Sequence, residues 1–448
     1  MNFVFFFVLL PLEMTMKTEE LYSYFQKSSG VTTDTRSCRE GAMFFALRGE
    51  RFNGNQYALA ALESGCAYAV VDDESCFDAS NPRLLPVDDS LKALQALARY
   101  HRQQLGLPII GITGTNGKTT TKELIAAVLS RKYRTHFTQG NLNNSIGVPL
   151  TLLQLRPEHE IAVVEMGASH PGDIRELVEI AEPDCGIITN VGKAHLEGFG
   201  SFEGVIHTKG ELYDFLRERK DSVVFIDDGN EHLKGIASGL TLVSYGTTGD
   251  TSLCAGGEVV ACDPMLRFRW RHGEGEWRDV ATHLIGSYNI LNMLAAACIG
   301  LYFGVTQEQI DHALSNYRPS NNRSQLTITE HNRLIVDTYN ANPTSMGAAL
   351  QNFKAMAVSP KMAILGDMRE LGESSEEEHR KVVDFLMENG FDNVWLVGEE
   401  FGKTDCPYRK FHDVEEVKTA LATQRPEGCY ILIKGSNGIR LFELPRLL

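Results

Sequence analysis

The length, composition and charge of the chain set the first limits. It has 448 residues, which corresponds to about two to four domains, and its 43% hydrophobic and 23% charged content is ordinary for a soluble globular protein. The net charge of −15 argues against a general nucleic-acid binder. Nine cysteines without a C-x-x-C pair argue against a zinc site or a disulfide framework, and scattered reduced thiols are typical of a cytoplasmic protein.

The beginning of the chain is unusually apolar. Residues 3–12 resemble the core of a signal peptide, but no Lys or Arg precedes them and no A-x-A site follows. The run is also shorter than the roughly 20 residues that a membrane span needs. We expect residues 1–16 to be a non-native or disordered extension, with Met14 or Met16 as the start, and a signal peptide is the alternative.

Residues 17–106 are predicted to form a small α/β domain. Strands are expected at 42–47 and 67–71, and an amphipathic helix at Ser90–Leu105. Near the start of this domain, Asp34-Thr35-Arg36 forms a polar turn. It is either a capped turn with a surface ion pair or a place where an arginine and backbone donors meet a diphosphate.

A glycine-rich loop at residues 111–120 follows the first domain. The apolar residues before the loop predict a buried strand, and the residues after it predict a helix. Backbone N–H groups and the helix dipole favour an anion at such a junction. Lys118 could reach the terminal phosphates of a nucleotide, and the hydroxyl of Thr119 could bind Mg²⁺. The spacing departs from G-x-x-x-x-G-K-[ST], because Ile112 stands at the first glycine position.

Residues 107–317 alternate between predicted strands and helices, which indicates a parallel sheet with helices on both faces. Ligands gather at the carboxyl ends of such strands, and Glu165, Asn190 and His195 each follow a strand end. Glu165 could supply a second oxygen to Mg²⁺. His195 could contact a metal or a phosphate, or it could only pack against its neighbours or cap a helix. The segment 242–277 is expected to be β-rich.

Lys209 poses an electrostatic question. An ammonium about 4 Å from a divalent cation would be repelled by roughly 8 kcal/mol at an effective dielectric constant near 20. If Lys209 faces bound metals, carbamylation by CO₂ would make it an anion and reverse the sign. A lysine on a helix surface is the alternative.

Residues 318–448 are predicted to form another βα-alternating sheet. Strands are expected at 334–337, 362–365, 394–397 and 430–433, with helices between them. Three glutamates at 376–378 are expected to begin one of these helices.

Several motifs in order resemble the Mur ligases, the ATP-dependent amide ligases of peptidoglycan precursor synthesis. The glycine loop, the Glu165-Met166-Gly167-Ala168 segment, His195 and Lys209 carry the resemblance. Three further stretches look like the branch that adds D-alanyl-D-alanine: residues 140–150, 337–343 and 365–372. Residues 286–292 resemble the family motif G-x-H-N-x-x-N, with Tyr288 in place of the usual His.

The resemblance implies a fold and a set of site residues. It implies three domains: a UDP-substrate-binding domain at 17–106, a central P-loop ATPase with a parallel sheet at 107–317, and a Rossmann-like domain at 318–448. The expected catalytic residues are Lys118, His195 and Lys209. The expected ATP contacts are Gly114, Thr115, Asn116, Gly117, Lys118, Thr119, Thr120, Asn289, Asn292, Arg323 and Asp337. The expected ligands of two Mg²⁺ ions are Thr119, Glu165 and His195, with Lys209 as a candidate carbamyl-lysine. The expected UDP-substrate contacts are Asp34, Thr35, Arg36, Phe45, Gly49, Asn143 and Asn144, and the expected D-Ala-D-Ala region is Tyr339, Asn340 and Asn342.

The implied activity is ligation of D-Ala-D-Ala to the terminal carboxylate of UDP-MurNAc-tripeptide through an acyl phosphate. We expect a cytoplasmic monomer with no membrane span and no nucleic-acid partner. The alternatives are another Mur-type amide ligase, an enzyme like folylpolyglutamate synthase, or a P-loop switch ATPase. Two positions depart from the family pattern: Asn53 stands where Asp is frequent, and Asn437 stands where Arg is common.

Overall fold

The computed structural model describes residues 15–50, 52–319 and 325–448. Internal contacts divide the chain into two units. The first unit contains the residues up to Leu107 together with Asn141–His159 and Glu179–Glu182. The second contains Pro108–Gly140, Glu160–Val178 and Pro183–Leu448. The expectation for residues 1–16 falls almost entirely outside the described residues, which begin at residue 15.

The α-helices of the described residues are, in chain order, α1 (Thr18–Phe25), α2 (Ala58–Glu63), α3 (Ser90–Leu105), α4 (Lys118–Leu129), α5 (Gly147–Leu152), α6 (Asp173–Ala181), α7 (Leu196–Phe199), α8 (Phe202–Arg217), α9 (Glu231–Ile236), α10 (Asn289–Tyr302), α11 (Gln307–Asn316), α12 (Pro343–Ala355), α13 (Ser375–Glu388), α14 (Glu399–Lys403) and α15 (Val414–Thr423).

The strands are β1 (Val31–Thr32), β2 (Met43–Phe45), β3 (Arg48–Gly49), β4 (Phe52–Asn53), β5 (Tyr68–Val71), β6 (Leu84–Pro86), β7 (Ile109–Thr113), β8 (Thr135–Phe137), β9 (Ile161–Glu165), β10 (Cys185–Ile188), β11 (Val223–Asp227), β12 (Thr241–Gly246), β13 (Ala255–Cys262), β14 (Met265–Arg271), β15 (Arg278–Ile285), β16 (Gln325–Ile328), β17 (Arg333–Asp337), β18 (Lys361–Gly366), β19 (Val394–Val397), β20 (Arg409–Phe411) and β21 (Tyr430–Lys434).

The first unit is built on a parallel four-stranded sheet in the order β1-β2-β5-β6. The predicted amphipathic helix is confirmed as α3, which buries Leu94, Leu97 and Ala98. Its N-cap Asp89 accepts a hydrogen bond from the backbone of Lys92, and Gly106 ends it in the left-handed conformation. Two short strands, β3 and β4, pair with each other in an antiparallel arrangement.

The central sheet of the second unit has nine strands in the order β15-β14-β13-β12-β11-β10-β7-β9-β8. Strands β7 to β13 pair in parallel, and β14 and β15 are antiparallel, which confirms both the parallel sheet and the β-rich segment. In the middle of the sheet, Ile112 of β7 is in register with Ile187 of β10 and with Glu165 of β9. The carboxyl ends of these three strands therefore lie at one edge, where the glycine loop begins.

The second unit also contains a six-stranded sheet in the order β16-β17-β21-β18-β19-β20. Neighbouring residues of β17 point to opposite faces, so Ile335 joins one hydrophobic cluster while Leu334 and Val336 join another. Both faces are thus covered, as the predicted βα alternation requires. The three glutamates at 376–378 lie in the first turn of α13, as expected. Among the described residues, no helix is both long and apolar enough to cross a membrane.

Candidate active site around the glycine loop

The glycine loop between β7 and α4 is held by the segment that follows β10. The backbone N–H of Thr115 donates to the carbonyl of Asn190, and that of Asn116 donates to the side chain of Asn190 at 2.9 Å. Gly114 and Gly117 both have positive φ, at 138° and 78°. A Cβ atom at Gly114 would overlap Thr189, so the glycines permit this close approach. Contacts with the segment after β10 therefore hold the loop in place.

Lys118 is the first residue of α4, at the positive end of the helix dipole. Its Nζ donates to the carbonyl of Gly114 at 2.7 Å and to that of Thr115 at 3.2 Å, so the side chain bends back over the loop. Loop amides, a helix N-terminus and an ammonium together form a site for an anion such as a phosphate.

Thr119 and Glu165 meet beside this loop. Both are buried, and the hydroxyl of Thr119 donates to Oε1 of Glu165 at 3.2 Å. Mg²⁺ prefers hard oxygens and uses one or two protein ligands together with water and phosphate oxygens, so this pair fits Mg²⁺. Within the described ranges, no group of three or more His, Cys, Asp or Glu residues is arranged to hold a metal. A metal here would thus depend on Thr119, Glu165 and the oxygens of a bound ligand.

Lys122 was not among the predicted site residues. It is buried on α4, with its Nζ 3.7 Å from Oε2 of Glu165 and 3.9 Å from Oε1 of Glu123. Its ammonium thus faces the carboxylate that also contacts Thr119. Sequence gives no signal for this position, because lysines on helices are usually exposed.

Lys209 lies on α8 and is buried. Its Nζ is 3.5 Å from the carbonyl of Ala168 and 5.2 Å from the centre of the Phe199 ring. Burial, and secondarily the positive charge of Lys118, lower the pKa of Lys209 to about 7. Lys209 is therefore not a surface lysine, and near pH 7 a large share of its amine is uncharged.

His195 is the N-cap residue of α7, with φ at 50°. Its ring packs edge-on against Phe199, with ring centres 6.1 Å apart, so His195 and Lys209 contact the same aromatic ring. On its other side, Nδ1 of His195 lies 2.5 Å from Oε2 of Glu370. The hydrogen bond from His195 lowers the pKa of the Glu370 carboxyl.

Two of the expected ATP contacts lie on α10, which packs against the loop helix α4. Asn289 and Asn292 are buried on α10, where Nδ2 of Asn292 donates to Oδ1 of Asn289. Oδ1 of Asn292 accepts from the hydroxyl of Thr121 on α4. Their described contacts thus join α10 to the loop helix. Arg323 lies outside the described residues.

The residues expected near the nucleotide and the amine substrate follow β17. Asp337 forms an ion pair with the buried Lys434, with 2.6 Å between Oδ2 and Nζ. Asn342 caps α12 and donates from Nδ2 to Oδ1 of Asn116 in the glycine loop at 2.9 Å. Tyr339 and Asn340 are exposed. Lys434 is a site candidate that the sequence reasoning missed.

The expected UDP-substrate residues lie in the first unit. Asp34 and Arg36 form an exposed ion pair, with Thr35 between them. The side chain of Phe45 is fully buried, so only its backbone is available to a ligand. Gly49 is exposed and pairs with Phe52 between β3 and β4.

The remaining pair of expected UDP contacts lies just before α5. Asn144 accepts from the backbone N–H groups of Ile146 and Gly147, which shapes the turn, and Asn143 is adjacent to it. The side chain of Asn144 is therefore engaged in holding the backbone of this turn.

Three family models match the chain. They are the Mur ligase family catalytic domain at residues 27–102, the Mur ligase middle domain at 112–300, and the Mur ligase glutamate ligase domain at 322–437. The chain belongs to the Mur ligase family.

Individual relatives match over nearly their whole length. The UDP-N-acetylmuramoyl-tripeptide–D-alanyl-D-alanine ligase of Bacillus subtilis is 36% identical over 428 residues, which covers 93% of this chain and 92% of that protein. A crystal structure of MurF from Acinetobacter baumannii aligns with a TM-score of 0.84 at 31% identity, over 98% of this chain and 99% of that chain. The MurF ligase of Thermotoga maritima in complex with ADP aligns with a TM-score of 0.82 at 28% identity, over 94% and 97%. The predicted family and fold class are thereby confirmed.

Proposed function

We propose that the chain joins D-alanyl-D-alanine to the terminal carboxylate of UDP-N-acetylmuramoyl-tripeptide and converts ATP to ADP and phosphate in doing so. The Bacillus subtilis relative carries this activity in its name, and this chain spans more than nine-tenths of that ligase. The observation that carries the proposal is the contact between Thr119 and Glu165 at the start of α4, where Lys118 is the first residue of the helix.

A carboxylate is a poor acyl donor because its oxygen is a poor leaving group. Transfer of the γ-phosphoryl group of ATP to that oxygen gives an acyl phosphate, which the amine of D-Ala-D-Ala then attacks. The C–N bond forms, the C–O bond to phosphate breaks, and the amine loses a proton. Lys118 and the loop amides stabilise negative charge on the transferring phosphoryl group.

Thr119 and Glu165 would hold one Mg²⁺ and His195 would contribute to a second. When bound, Mg²⁺ would neutralise phosphate charge. The buried Nζ of Lys122 lies 3.7 Å from the far oxygen of Glu165 and would help to hold this carboxylate beside Thr119.

Lys209 is the candidate for carbamylation. Because burial lowers its pKa to about 7, its neutral amine can attack CO₂ near neutral pH. An N–C bond forms, one proton leaves, and the side chain becomes an anionic carbamate. An anion at this position would favour nearby cations, whereas the ammonium would repel them.

Further roles follow for the other expected residues. Asp34, Thr35 and Arg36 would contact the diphosphate of the UDP-substrate, with Phe45, Gly49, Asn143 and Asn144 nearby in their own unit. Asn289, Asn292, Arg323 and Asp337 would contact the nucleotide, and Tyr339, Asn340 and Asn342 the amine substrate. We propose domain boundaries at 106/107 and 317/318 and a monomer in the cytoplasm, where ATP is available.

The experiment is ADP release by the purified chain with ATP, Mg²⁺ and UDP-MurNAc-tripeptide, with and without D-Ala-D-Ala. The proposal expects turnover that requires both substrates. A rate of ADP release that depends on neither UDP-MurNAc-tripeptide nor D-Ala-D-Ala would favour a P-loop switch ATPase and overturn the proposal.

A further inference from the structure

Two residues with an unusual backbone conformation touch each other across the second unit. Only five non-glycine residues in the described part of the chain have positive φ, and His195 and Glu370 are two of them, at 50° and 64°. Such a conformation is unfavourable for a side chain with a Cβ atom and persists where surrounding contacts enforce it. Here both backbones turn so that Nδ1 of His195 and Oε2 of Glu370 meet at 2.5 Å.

The segment that carries Glu370 is held firmly in place. The carboxylate of Asp367 accepts from the backbone N–H groups of Glu400 and Phe401, both at 2.9 Å. The backbone N–H of Met368 donates to Nε2 of His379 at 3.0 Å, and that of Arg369 donates to the hydroxyl of Ser436 at 2.9 Å. The position of Glu370 is therefore set by the six-stranded sheet and its helices.

The segment that carries His195 is held by two helices that flank the six-stranded sheet, α12 and α13. The backbone N–H of Lys193 donates to the hydroxyl of Thr344 at 3.2 Å, and its Nζ lies 3.0 Å from Oε1 of Glu378. The His195 ring itself lies between Phe199 and Glu370. The contact with Glu370 sets the position of Nδ1, and the contact with Phe199 sets the plane of the ring.

We propose that Glu370 is a positioning residue for His195. An ionised carboxylate only accepts hydrogen bonds, so it fixes the proton on Nδ1 and leaves Nε2 with its lone pair, which is the form of histidine that binds a metal. Because Glu370 comes from the six-stranded sheet and His195 from the nine-stranded sheet, the metal-binding form of His195 depends on the contact between these two parts of the second unit. This inference rests on the proposed role of His195 as a metal ligand.

The test measures metal binding separately from turnover. Mn²⁺ is titrated into the full chain with saturating ADP and followed by electron paramagnetic resonance, for the wild type, Glu370→Gln and Glu373→Gln. Glu373 is exposed in the same segment and serves as the matched control. Loss of an outer carboxylate partner usually weakens metal affinity 10–100-fold, so Glu370→Gln is expected to weaken one class of Mn²⁺ site by about tenfold, while Glu373→Gln binds like the wild type.

The second readout is the Mg²⁺ concentration that gives half-maximal ADP release. It is expected to rise in Glu370→Gln by a similar factor, with kcat at saturating Mg²⁺ changed much less. If Glu370→Gln does not fold, Glu370→Asn replaces it, because asparagine tolerates the left-handed backbone.

Unchanged Mn²⁺ affinity in a folded variant overturns the proposal. Failure of the wild type to make the ligated product overturns the proposed function instead, and leaves the Mn²⁺ result to decide the role of Glu370 by itself.

Discussion

Two ion pairs of nearly equal length lie in very different surroundings. Asp34 and Arg36 of the first unit are 2.7 Å apart, with side chains 44% and 89% exposed. Asp337 and Lys434 of the second unit are 2.6 Å apart, with side chains 18% and 1% exposed. The two distances are nearly the same, but the two pairs differ in how much of each side chain is exposed to solvent.

Water screens the exposed pair, so it contributes little to stability, and Arg36 can exchange Asp34 for a ligand phosphate at small cost. The buried ammonium of Lys434 has no such alternative, and removing its partner leaves a desolvated charge. The Asp34–Arg36 pair can therefore rearrange at small cost, whereas burial holds the Asp337–Lys434 pair together.

The largest expected effect comes from the fixed charge at the glycine loop. Lys118→Ala is expected to lower the rate of ADP release by about 10³-fold, or about 4 kcal/mol in the barrier, because the transferring phosphoryl group loses its cation. The unfolding temperature should not change. Lys220→Ala, at an exposed lysine on the same unit, is the control. Turnover at the wild-type rate in a folded Lys118→Ala protein would remove the loop from the mechanism.

A substitution at Lys209 tests whether this buried lysine acts as an anionic carbamate. Lys209→Ala is expected to lower turnover by about 10²-fold, and short carboxylic acids such as acetate should restore part of it by occupying the site of the carbamate. The rates are measured with and without acetate, again beside Lys220→Ala. A folded Lys209→Ala protein that no carboxylate rescues would contradict carbamylation.

Asp337→Asn tests the difference between the buried and the exposed ion pair most directly. It is expected to destabilise the chain by about 3 kcal/mol, because Lys434 is left buried without its carboxylate. Asp34→Asn should leave the unfolding midpoint where it is, since that pair is exposed. Denaturant unfolding of both variants decides the matter, and equal losses would show that burial does not distinguish the pairs.

Arg36→Ala is expected to have the smallest effect. The KM for UDP-MurNAc-tripeptide should rise by about tenfold through loss of a charge-assisted contact, with kcat and the unfolding temperature unchanged. Arg39→Ala, at an exposed neighbour, is the matched control. Identical KM values for the two variants would argue that the turn at Asp34 does not bind the substrate.

Local pattern predicted much of the fold. The helix Ser90–Leu105 has the predicted limits, because an apolar face and strong caps mark its ends. The helix α5 was missed, since it is short and carries Pro149 in its first turn. Strand β8 was missed because its three residues are too few to show a period.

Contacts within the site could be predicted only between residues that follow neighbouring strands of one sheet. Thr119 and Glu165 could be brought together because parallel strands end at one edge of a sheet. The contact between His195 and Glu370 joins two different sheets, and no periodicity in the sequence relates them. Lys122 and Lys434 look like surface lysines in a sequence, and only the fold shows that they are buried beside carboxylates.

An isotope measurement shows most directly whether the tripeptide carboxylate is activated as an acyl phosphate. UDP-MurNAc-tripeptide with ¹⁸O in both oxygens of its terminal carboxylate is incubated with the chain, ATP, Mg²⁺ and D-Ala-D-Ala. Because the C–O bond breaks when the amide forms, the account predicts one ¹⁸O atom in the released phosphate and one in the new amide. Unlabelled phosphate accompanying the ligated product would contradict it.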